Sequence, residues 1–205
     1  MKIYAVRKGK NVGIFYSWEK CKEQITGYSG AEFKSFSDVE CAKRYLSGEE
    51  ESSTVPSVGC IAYVDGSYNE ASNDFSYGVV IINNGEIVHK ISQKATGRNI
   101  RPKEKLDAMR SMRNISGEIS ASVAAIKYCL ENKIPSVTIY HDYEGISKWA
   151  NCEWKARNIY TQNYRDFVMK ARTKCKIQFV KVKGHSNDKY NDMADALAKA
   201  ALGIQ

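Results

Sequence analysis

Acidic side chains placed beside regular elements are the residues of this chain best suited to catalysis. Asp65 ends the apolar, β-branched run of segment 59–68, which reads Gly-Cys-Ile-Ala-Tyr-Val-Asp-Gly-Ser-Tyr. This pattern predicts a central strand with a carboxylate at its edge. Because aspartate is a poor strand former and costly to bury, a bound ligand or cation would explain its position. The alternative is that Asp65 only closes the strand into an Asp-Gly turn.

Three further carboxylates occupy comparable positions. Glu118 lies near the start of a predicted helix, 116–132, where the helix dipole is an alternative explanation for it. Asp142 follows the predicted strand 137–140, and Asp195 lies on the closing helix among apolar residues, so it is expected to face the sheet. Strand, helix and strand imply a parallel crossover, and ligands of such sheets gather at the carboxyl ends of the strands.

The C-terminal part of the chain alternates strand and helix patterns. Strands are predicted at 59–65, 76–82, 86–93, 137–140 and 176–183, and helices at 116–132, 144–150, 158–173 and along the closing segment. Asn83-Asn84-Gly85 is a type I′ hairpin signal, so the first three strands should be antiparallel. Segment 94–113 has seven basic residues and no clean period, and it is predicted to be an irregular loop. It is either a surface insertion or an arm that contacts phosphates.

The N-terminal 47 residues predict a small ββαβα module. It holds eight of the 22 aromatic residues and nine lysines or arginines against five acids. So small a core cannot bury eight rings, and some should be exposed. Basic charge interleaved with exposed rings is typical of nucleic-acid binding. The alternative is an ordinary core with a solvated basic face.

Composition limits the remaining possibilities. The 205 residues have a formal net charge of +8, which favours a polyanionic partner. The six cysteines form no C-x-x-C pair, so neither a zinc site nor a redox motif is indicated. No apolar run is long enough to span a bilayer and no signal-peptide core is present, so a cytoplasmic protein without membrane contact is expected. The polar segment 48–58 predicts a flexible linker between domains 1–47 and 59–205.

The N-terminal module resembles the RNA–DNA hybrid-binding domain of many type 1 ribonucleases H and of viroplasmin-type proteins. The similar segments are 4–9, Gly13-Ile14-Phe15, Trp18 and 33–36. The resemblance implies that Trp18 and Phe33 pack on sugars of the DNA strand, and that Tyr4 and Lys34 contact phosphates. Ser35 stands where the family often has a second lysine, so phosphate contact should be weaker.

Residues 59–202 resemble type 1 ribonuclease H. The similarity rests on Asp-Gly-Ser in a strand, Gly-Glu at a helix start, Asp after a strand, and Gly-His-Ser ten residues before Asp-Ala-Leu-Ala. The implied fold is α/β, with a ribonuclease H-like mixed five-stranded sheet flanked by helices and preceded by the ββαβα module. The implied metal-binding and catalytic carboxylates are Asp65, Glu118, Asp142 and Asp195. The implied catalytic histidine is His185, and the implied substrate-binding residues are Ser67, Asn114 and Asn191.

Four clustered carboxylates cannot all stay ionised without countercharge, and hard oxygen ligands suit Mg²⁺ or Mn²⁺. Two such ions, about 3.5 to 4 Å apart, are expected, with Asp65 between them. The resemblance implies hydrolysis of the RNA strand of a hybrid, leaving 5′-phosphate and 3′-hydroxyl ends, with His185 assisting proton transfer or product departure. His185 could instead be a structural loop histidine. The hybrid duplex is the expected partner, and no obligatory protein partner is evident.

Two other functions share parts of this pattern. A hybrid-binding protein with a silent second domain would need no complete carboxylate set, and Holliday-junction resolvases and transposases assemble acidic residues on a similar sheet. Only 42 residues separate Asp142 from His185, too few for the extra basic helix of some family members. The N-terminal module, together with Lys148, Lys155 and Arg157, is expected to supply the missing contacts to the hybrid.

Overall fold

Residues 2–48, 59–95, 103–184 and 188–204 are described by a computed structural model. The chain divides into two units, residues 1–54 and 55–205. Most of the predicted linker lies outside the described residues, so its bounds of 48–58, and the domain bounds beside them, stay predictions. Among the described residues, no helix combines the length and apolar character that crossing a bilayer requires.

The first unit is a three-stranded antiparallel sheet with two helices. Its elements are β1 (Ile3–Lys8), β2 (Gly13–Phe15), α1 (Trp18–Ile25), β3 (Glu32–Phe36) and α2 (Val39–Ser47). The strand order is β2-β1-β3, so β1 is central. The predicted ββαβα order is therefore confirmed. Its buried core consists mainly of short side chains such as Ala5, Val6 and Ala42, which leaves several large rings exposed.

The second unit has a mixed five-stranded sheet in the order β6-β5-β4-β7-β8. Its strands are β4 (Cys60–Asn69), β5 (Asp74–Asn83), β6 (Glu86–Ala95), β7 (Ser136–His141) and β8 (Lys176–Lys181). Its helices are α3 (Lys103–Ser111), α4 (Asn114–Glu131), α5 (Gly145–Ala150), α6 (Ile159–Arg172) and α7 (Lys189–Leu202). Strands β4, β5 and β6 pair antiparallel, whereas β7 runs parallel to both β4 and β8. The predicted fold class is confirmed.

Helices cover both faces of this sheet. Helices α4, α5 and α6 pack on the face that includes Val64, Val79 and Ile139, and this is the larger core. Helix α7 packs on the opposite face, over Tyr63 and Val80. The alternation of side chains along a strand requires this division, since neighbouring residues point to opposite faces.

The β5–β6 hairpin has the turn that its sequence predicts. Asn84 and Gly85 have φ values of 51° and 82°, and Asn83 pairs with Glu86. Type I′ turns need positive φ at both central residues, which asparagine and glycine tolerate.

Two local predictions differ from the structure. Segment 94–113 was expected to be irregular, but α3 occupies part of it, with Met109 buried and Ser116 Oγ donating to the Met109 carbonyl at 2.5 Å. Because the segment has so many basic residues, its sequence shows no apolar pattern that would predict the helix. The strand at Asp65 does not end there either, because β4 continues in register with β5 to Asn69. The Asp-Gly turn interpretation is therefore wrong.

Candidate active site

Two glycines allow strand β4 and helix α4 to pack with their main chains in direct contact. A Cβ at Gly66 of β4 would lie 2.4 Å from the Asn114 carbonyl oxygen and 2.4 Å from the Glu118 nitrogen of α4. A Cβ at Gly117 would lie 2.6 Å from the Gly66 Cα. No side chain can occupy such a space. Gly66 is thus required by helix packing rather than by a turn, and the crossing places Asp65 beside Glu118.

A third glycine brings α7 onto the sheet. Gly78 of β5 pairs with Asp65 in the antiparallel register, and a Cβ there would lie 2.0 Å from the Ala194 carbonyl oxygen. Ser76 Oγ also donates to the Ala198 carbonyl at 2.6 Å, and this hydrogen bond fixes the position of α7 along β5. Asp195 follows Ala194, so the same contact brings it toward Asp65.

Asp142 follows β7 directly, at the carboxyl end of the parallel strands. The main-chain N–H of the next residue, Tyr143, donates to Glu118 Oε2 at 3.2 Å. Gly184, after β8, is so close that a Cβ on it would lie 2.8 Å from Asp142 Oδ2. The chain that leads to the predicted loop histidine therefore passes against the Asp142 carboxylate.

Three of the four predicted carboxylates converge. Oxygen atoms of Asp65, Glu118 and Asp142 all lie within 4.8 Å of one another. Asp195 is not part of this group, and Lys199 Nζ lies 2.8 Å from its Oδ2. Asp195 is nevertheless close enough to Asp65 to raise the pKa of Asp65. The structure thus assembles three predicted ligands and leaves the fourth beside them, paired with a lysine one turn further along α7.

Burial and mutual repulsion both disfavour charge on this group. Burial, and then the charge of Asp142, raise the pKa of Asp65 to about 7, although the Gly66 N–H donates to its Oδ1 at 2.6 Å. Burial, and then the charges of Asp142 and Asp65, raise the pKa of Glu118 to about 9, against the opposing hydrogen bond from Tyr143. Glu118 is only 5% exposed, so water cannot screen these charges.

A divalent cation suits this arrangement. The donor atoms are carboxylate oxygens, which are the hard ligands that Mg²⁺ and Mn²⁺ prefer. Burial and the neighbouring carboxylates raise the pKa values of Asp65 and Glu118, and a bound cation would favour the ionised forms of both groups. Asp65, Glu118 and Asp142 could hold such an ion, with Asp195 available if it exchanges Lys199 for the metal.

The other predicted site residues have varied surroundings. Ser67 is buried on β4 next to the Gly66 crossing, and Asn114 is exposed as the first residue of α4. Asn191 is 4% exposed on the first turn of α7, and its Oδ1 has no hydrogen-bond partner in the described part of the chain. His185 lies outside the described residues, and its role stays a prediction. Asp188, which caps α7, is the first described residue after it.

A cavity of about 730 Å³ lies beside Tyr143, the residue that follows Asp142. Asn114 and Tyr143 contribute to its wall, together with Arg113, Tyr68 and Trp149. The Trp149 ring also belongs to a cluster of three aromatic rings. The rings of Tyr143, Trp149 and Trp154 contact one another, with centroid distances of 5.8 to 6.4 Å. The neighbouring Lys148 and Lys155 were predicted from the sequence, but these rings were missed. Their interleaving with lysines, as at the N-terminus, was the available signal.

The N-terminal unit presents an aromatic surface. The Trp18 ring lies between Tyr4 and Phe33, with centroids 5.6 Å and 5.8 Å away. Trp18 is 41% exposed and Phe33 is 42% exposed. Lys34 is exposed beside Phe33 on β3, with its Nζ 5.8 Å from the Phe36 ring centroid. The four residues predicted to contact hybrid thus lie on adjoining parts of one small unit.

Two family models match the chain. One, described as the ribonuclease H1 N-terminal domain, matches residues 2–46, and the other, RNase H, matches residues 58–203. The second match covers more than half of the chain. The chain belongs to the ribonuclease H family. The resemblance stated from the sequence is therefore confirmed, and the family consists of metal-dependent ribonucleases that act on RNA–DNA hybrids.

Curated relatives of this ribonuclease H family member match between 21% and 96% of it. Ribonuclease H of Schizosaccharomyces pombe is 24% identical across 96% of this chain and 95% of its own length. Ribonuclease H of Saccharomyces cerevisiae is 51% identical over 43 residues, which are 21% of this chain and 12% of that protein. Mouse ribonuclease H1 is 40% identical over 43 residues, 15% of its length. For the latter two, the chain spans a small fraction of the relative.

Solved structures share the fold of the larger unit. RNase H1 from the archaeon Halobacterium salinarum superposes with a TM-score of 0.55 at 20% identity, over 70% of this chain and 97% of the other. LC11-RNase H1 from compost, in complex with RNA/DNA hybrid, gives a TM-score of 0.52 at 16% identity, over 70% and 99%. At these identities the similarity concerns the fold.

Proposed function

We propose that this protein is an endonuclease that hydrolyses the RNA strand of RNA–DNA hybrids and leaves 5′-phosphate and 3′-hydroxyl ends. The observation that supports the proposal most is the convergence of Asp65, Glu118 and Asp142 within 4.8 Å, in the unit that the RNase H model matches. Burying three carboxylates beside one another destabilises the folded state, and a domain that only binds hybrid would gain nothing from it.

The proposal assigns two Mg²⁺ ions, which Mn²⁺ can replace, to Asp65, Glu118, Asp142 and Asp195. When bound, such ions activate water and stabilise charge on the attacking and leaving oxygens. The residues of the chain provide the remaining functions. Gly66 and Gly117 hold the two central carboxylates at a fixed separation, and Tyr143 orients Glu118 through its N–H. Lys199 forms an ion pair with Asp195, which would have to exchange this lysine for a metal ion.

Substrate binding is assigned to two surfaces. Trp18 and Phe33 would pack on sugars of the DNA strand, and Tyr4 and Lys34 would contact phosphates, because ring packing and charge are the usual means of holding a nucleic-acid backbone. In the larger unit, Ser67, Asn114 and Asn191 would contact the strand near the cut bond. Contacts to phosphate and to 2′-hydroxyls carry no base code, so sequence preference should be low.

A cleavage assay tests the proposal directly. The full chain is incubated with a hybrid labelled on either strand, and with duplex DNA and duplex RNA of the same sequence, with Mg²⁺ or with EDTA. We expect cleavage of the RNA strand of the hybrid alone, in Mg²⁺ alone, with products that a 3′-hydroxyl-dependent polymerase extends. Cleavage of duplex DNA would favour a resolvase-like function instead, and binding without cleavage would favour a hybrid-binding protein.

Matched variants separate chemistry from binding. Asp65→Asn should abolish cleavage while leaving hybrid affinity unchanged or higher. The double change Trp18→Ala and Phe33→Ala should weaken hybrid binding by more than tenfold, because each ring contributes about 1–3 kcal/mol when it stacks. The exposed Tyr28, on the same unit, provides the aromatic control. If Tyr28→Ala weakens binding as much as the double change, the assigned surface is wrong.

A further inference from the structure

His141 is an unusual neighbour for the acidic group. It is the last residue of β7, directly before Asp142, and it is 0% exposed. Its ring lies edge-on to the Phe179 ring, with centroids 6.0 Å apart and an interplanar angle of 73°. The main-chain carbonyl of His141 accepts from the Val182 N–H at 2.9 Å. Both the ring and the backbone of this residue are therefore fixed.

The ring contacts the turn that holds Asp142. His141 Nδ1 lies 2.9 Å from the carbonyl oxygen of Tyr143. A carbonyl oxygen can only accept, so Nδ1 has the proton and donates it. Within the described residues, Nε2 has no hydrogen-bond partner.

Tyr143 is thereby held at both ends. Its carbonyl accepts from His141, and its N–H donates to Glu118 Oε2 at 3.2 Å. Asp142 lies between these two hydrogen bonds. The order of the contacts is His141, Tyr143, Glu118, and rotation of either peptide group of Tyr143 would break one of them. The side chain of His141 therefore determines how the Asp142 turn faces Glu118.

We infer that His141 is a positioning residue, which holds the Asp142–Tyr143 turn so that Asp142 and Glu118 bind a divalent cation together. The inference rests on the proposed function and deepens it, since it concerns the same carboxylates. Residues that orient metal ligands typically change metal affinity by ten- to a hundredfold when they are replaced. His141 touches neither substrate nor metal in this proposal and acts only through Tyr143.

The test measures Mn²⁺ binding to the full metal-free protein by electron paramagnetic resonance, without substrate. His141→Leu keeps a side chain of similar size but removes the donor, and we expect Mn²⁺ to bind at least about tenfold more weakly. His141→Asn places an amide N–H near the position of Nδ1, so binding should return to within about threefold of wild type. Thr138→Val, a buried change three residues earlier on β7, is the control and should leave Mn²⁺ affinity unchanged.

Stability is measured on the same samples. His141→Leu also removes the unpartnered Nε2, so its unfolding midpoint need not fall. A structural role alone would lower the midpoint and leave Mn²⁺ affinity intact, which would overturn the inference. Equal losses in His141→Leu and His141→Asn, equal losses in Thr138→Val, or absence of Mn²⁺ binding to wild type would overturn it as well.

A measurement on the wild type tests the inference even if the variants fail to fold. Nitrogen NMR of ¹⁵N-histidine-labelled protein should show the Nδ1–H tautomer for His141, and the Nε2–H tautomer would refute the inference. Hybrid cleavage by the wild type is recorded in parallel. If the wild type cleaves hybrid while His141→Leu binds Mn²⁺ normally, the inference fails and the proposed function stands. If Mn²⁺ binding depends on His141 but hybrid is not cleaved, the proposed function fails alone.

Discussion

Neutralising Asp65 should stabilise the metal-free protein. The pKa of Asp65 rises from its ordinary 3.8 to about 7, mainly because the group is buried. Raising a pKa by one corresponds to about 1.36 kcal/mol, so ionised Asp65 costs the folded state roughly 4 kcal/mol above pH 7. Asp65→Asn removes this cost. Near pH 8 in EDTA, the variant should be more stable than the wild type by roughly that amount.

The pH dependence has a definite sign. Because the folded-state pKa is raised, the folded state binds more protons than the unfolded state, and stability is lost as pH rises. For Asp65 the loss begins near pH 4 and is complete above about pH 7, and the pKa of about 9 for Glu118 extends it further. At pH 5, the stabilisation by Asp65→Asn should therefore fall to less than half of its value at pH 8.

Urea unfolding followed by circular dichroism, at pH 5 and pH 8 in EDTA, measures both quantities. Glu70→Gln is the control, because the Glu70 side chain is 75% exposed and pairs with Arg113, whose side chain is 66% exposed. It should change the free energy of unfolding by less than about 1 kcal/mol at either pH. Added Mg²⁺ should stabilise the wild type more than the variant. If Asp65→Asn is no more stable than the wild type at pH 8, buried charge at Asp65 does not destabilise the fold and the reasoning is refuted.

Three further changes test other parts of the site. Gly184→Ala would place a methyl group 2.8 Å from Asp142 Oδ2, so the Mg²⁺ concentration needed for half-maximal cleavage should rise more than tenfold, and an unchanged value would contradict the contact. Gly66→Ala should reduce the free energy of unfolding by more than about 3 kcal/mol, measured in urea, since main-chain atoms of α4 fill the space. His185→Ala should lower turnover ten- to a hundredfold, and a loss below twofold in single-turnover assays would exclude an acid–base role.

The sequence predicted most elements of this fold because its local signals agree with its tertiary structure. The hairpin at Asn84-Gly85 needs positive φ at both residues, and this requirement is visible in the residue types alone. The alternation along β4 and the spacing along α4 likewise follow from which side chains are buried. Helix α3 was missed because Met109 is the only fully buried side chain among its described residues, and a single buried position produces no helical period.

At the site, residue identity was predictable but geometry was not. The motif resemblance named the acids, yet nothing in the sequence indicated that Asp195 would lie outside the group of three and pair with Lys199. The Asp65-Gly66 pair was ambiguous, because a turn and a close helix crossing both require glycine. Only the position of α4 in space separates the two explanations. His141 gave no signal either, since a histidine at a strand end is unremarkable until its partner is known.

The crossing of β4 and α4 also restricts how this protein can vary. Gly66 and Gly117 touch through main-chain atoms, so no compensating change in a neighbouring side chain can make room for a larger residue at either position. The gap between Asp65 and Glu118 is consequently set by van der Waals contact between main-chain atoms, which does not depend on side chains elsewhere in the interior. Substitutions could change the packing of the surrounding core and still leave the separation of these two carboxylates unchanged.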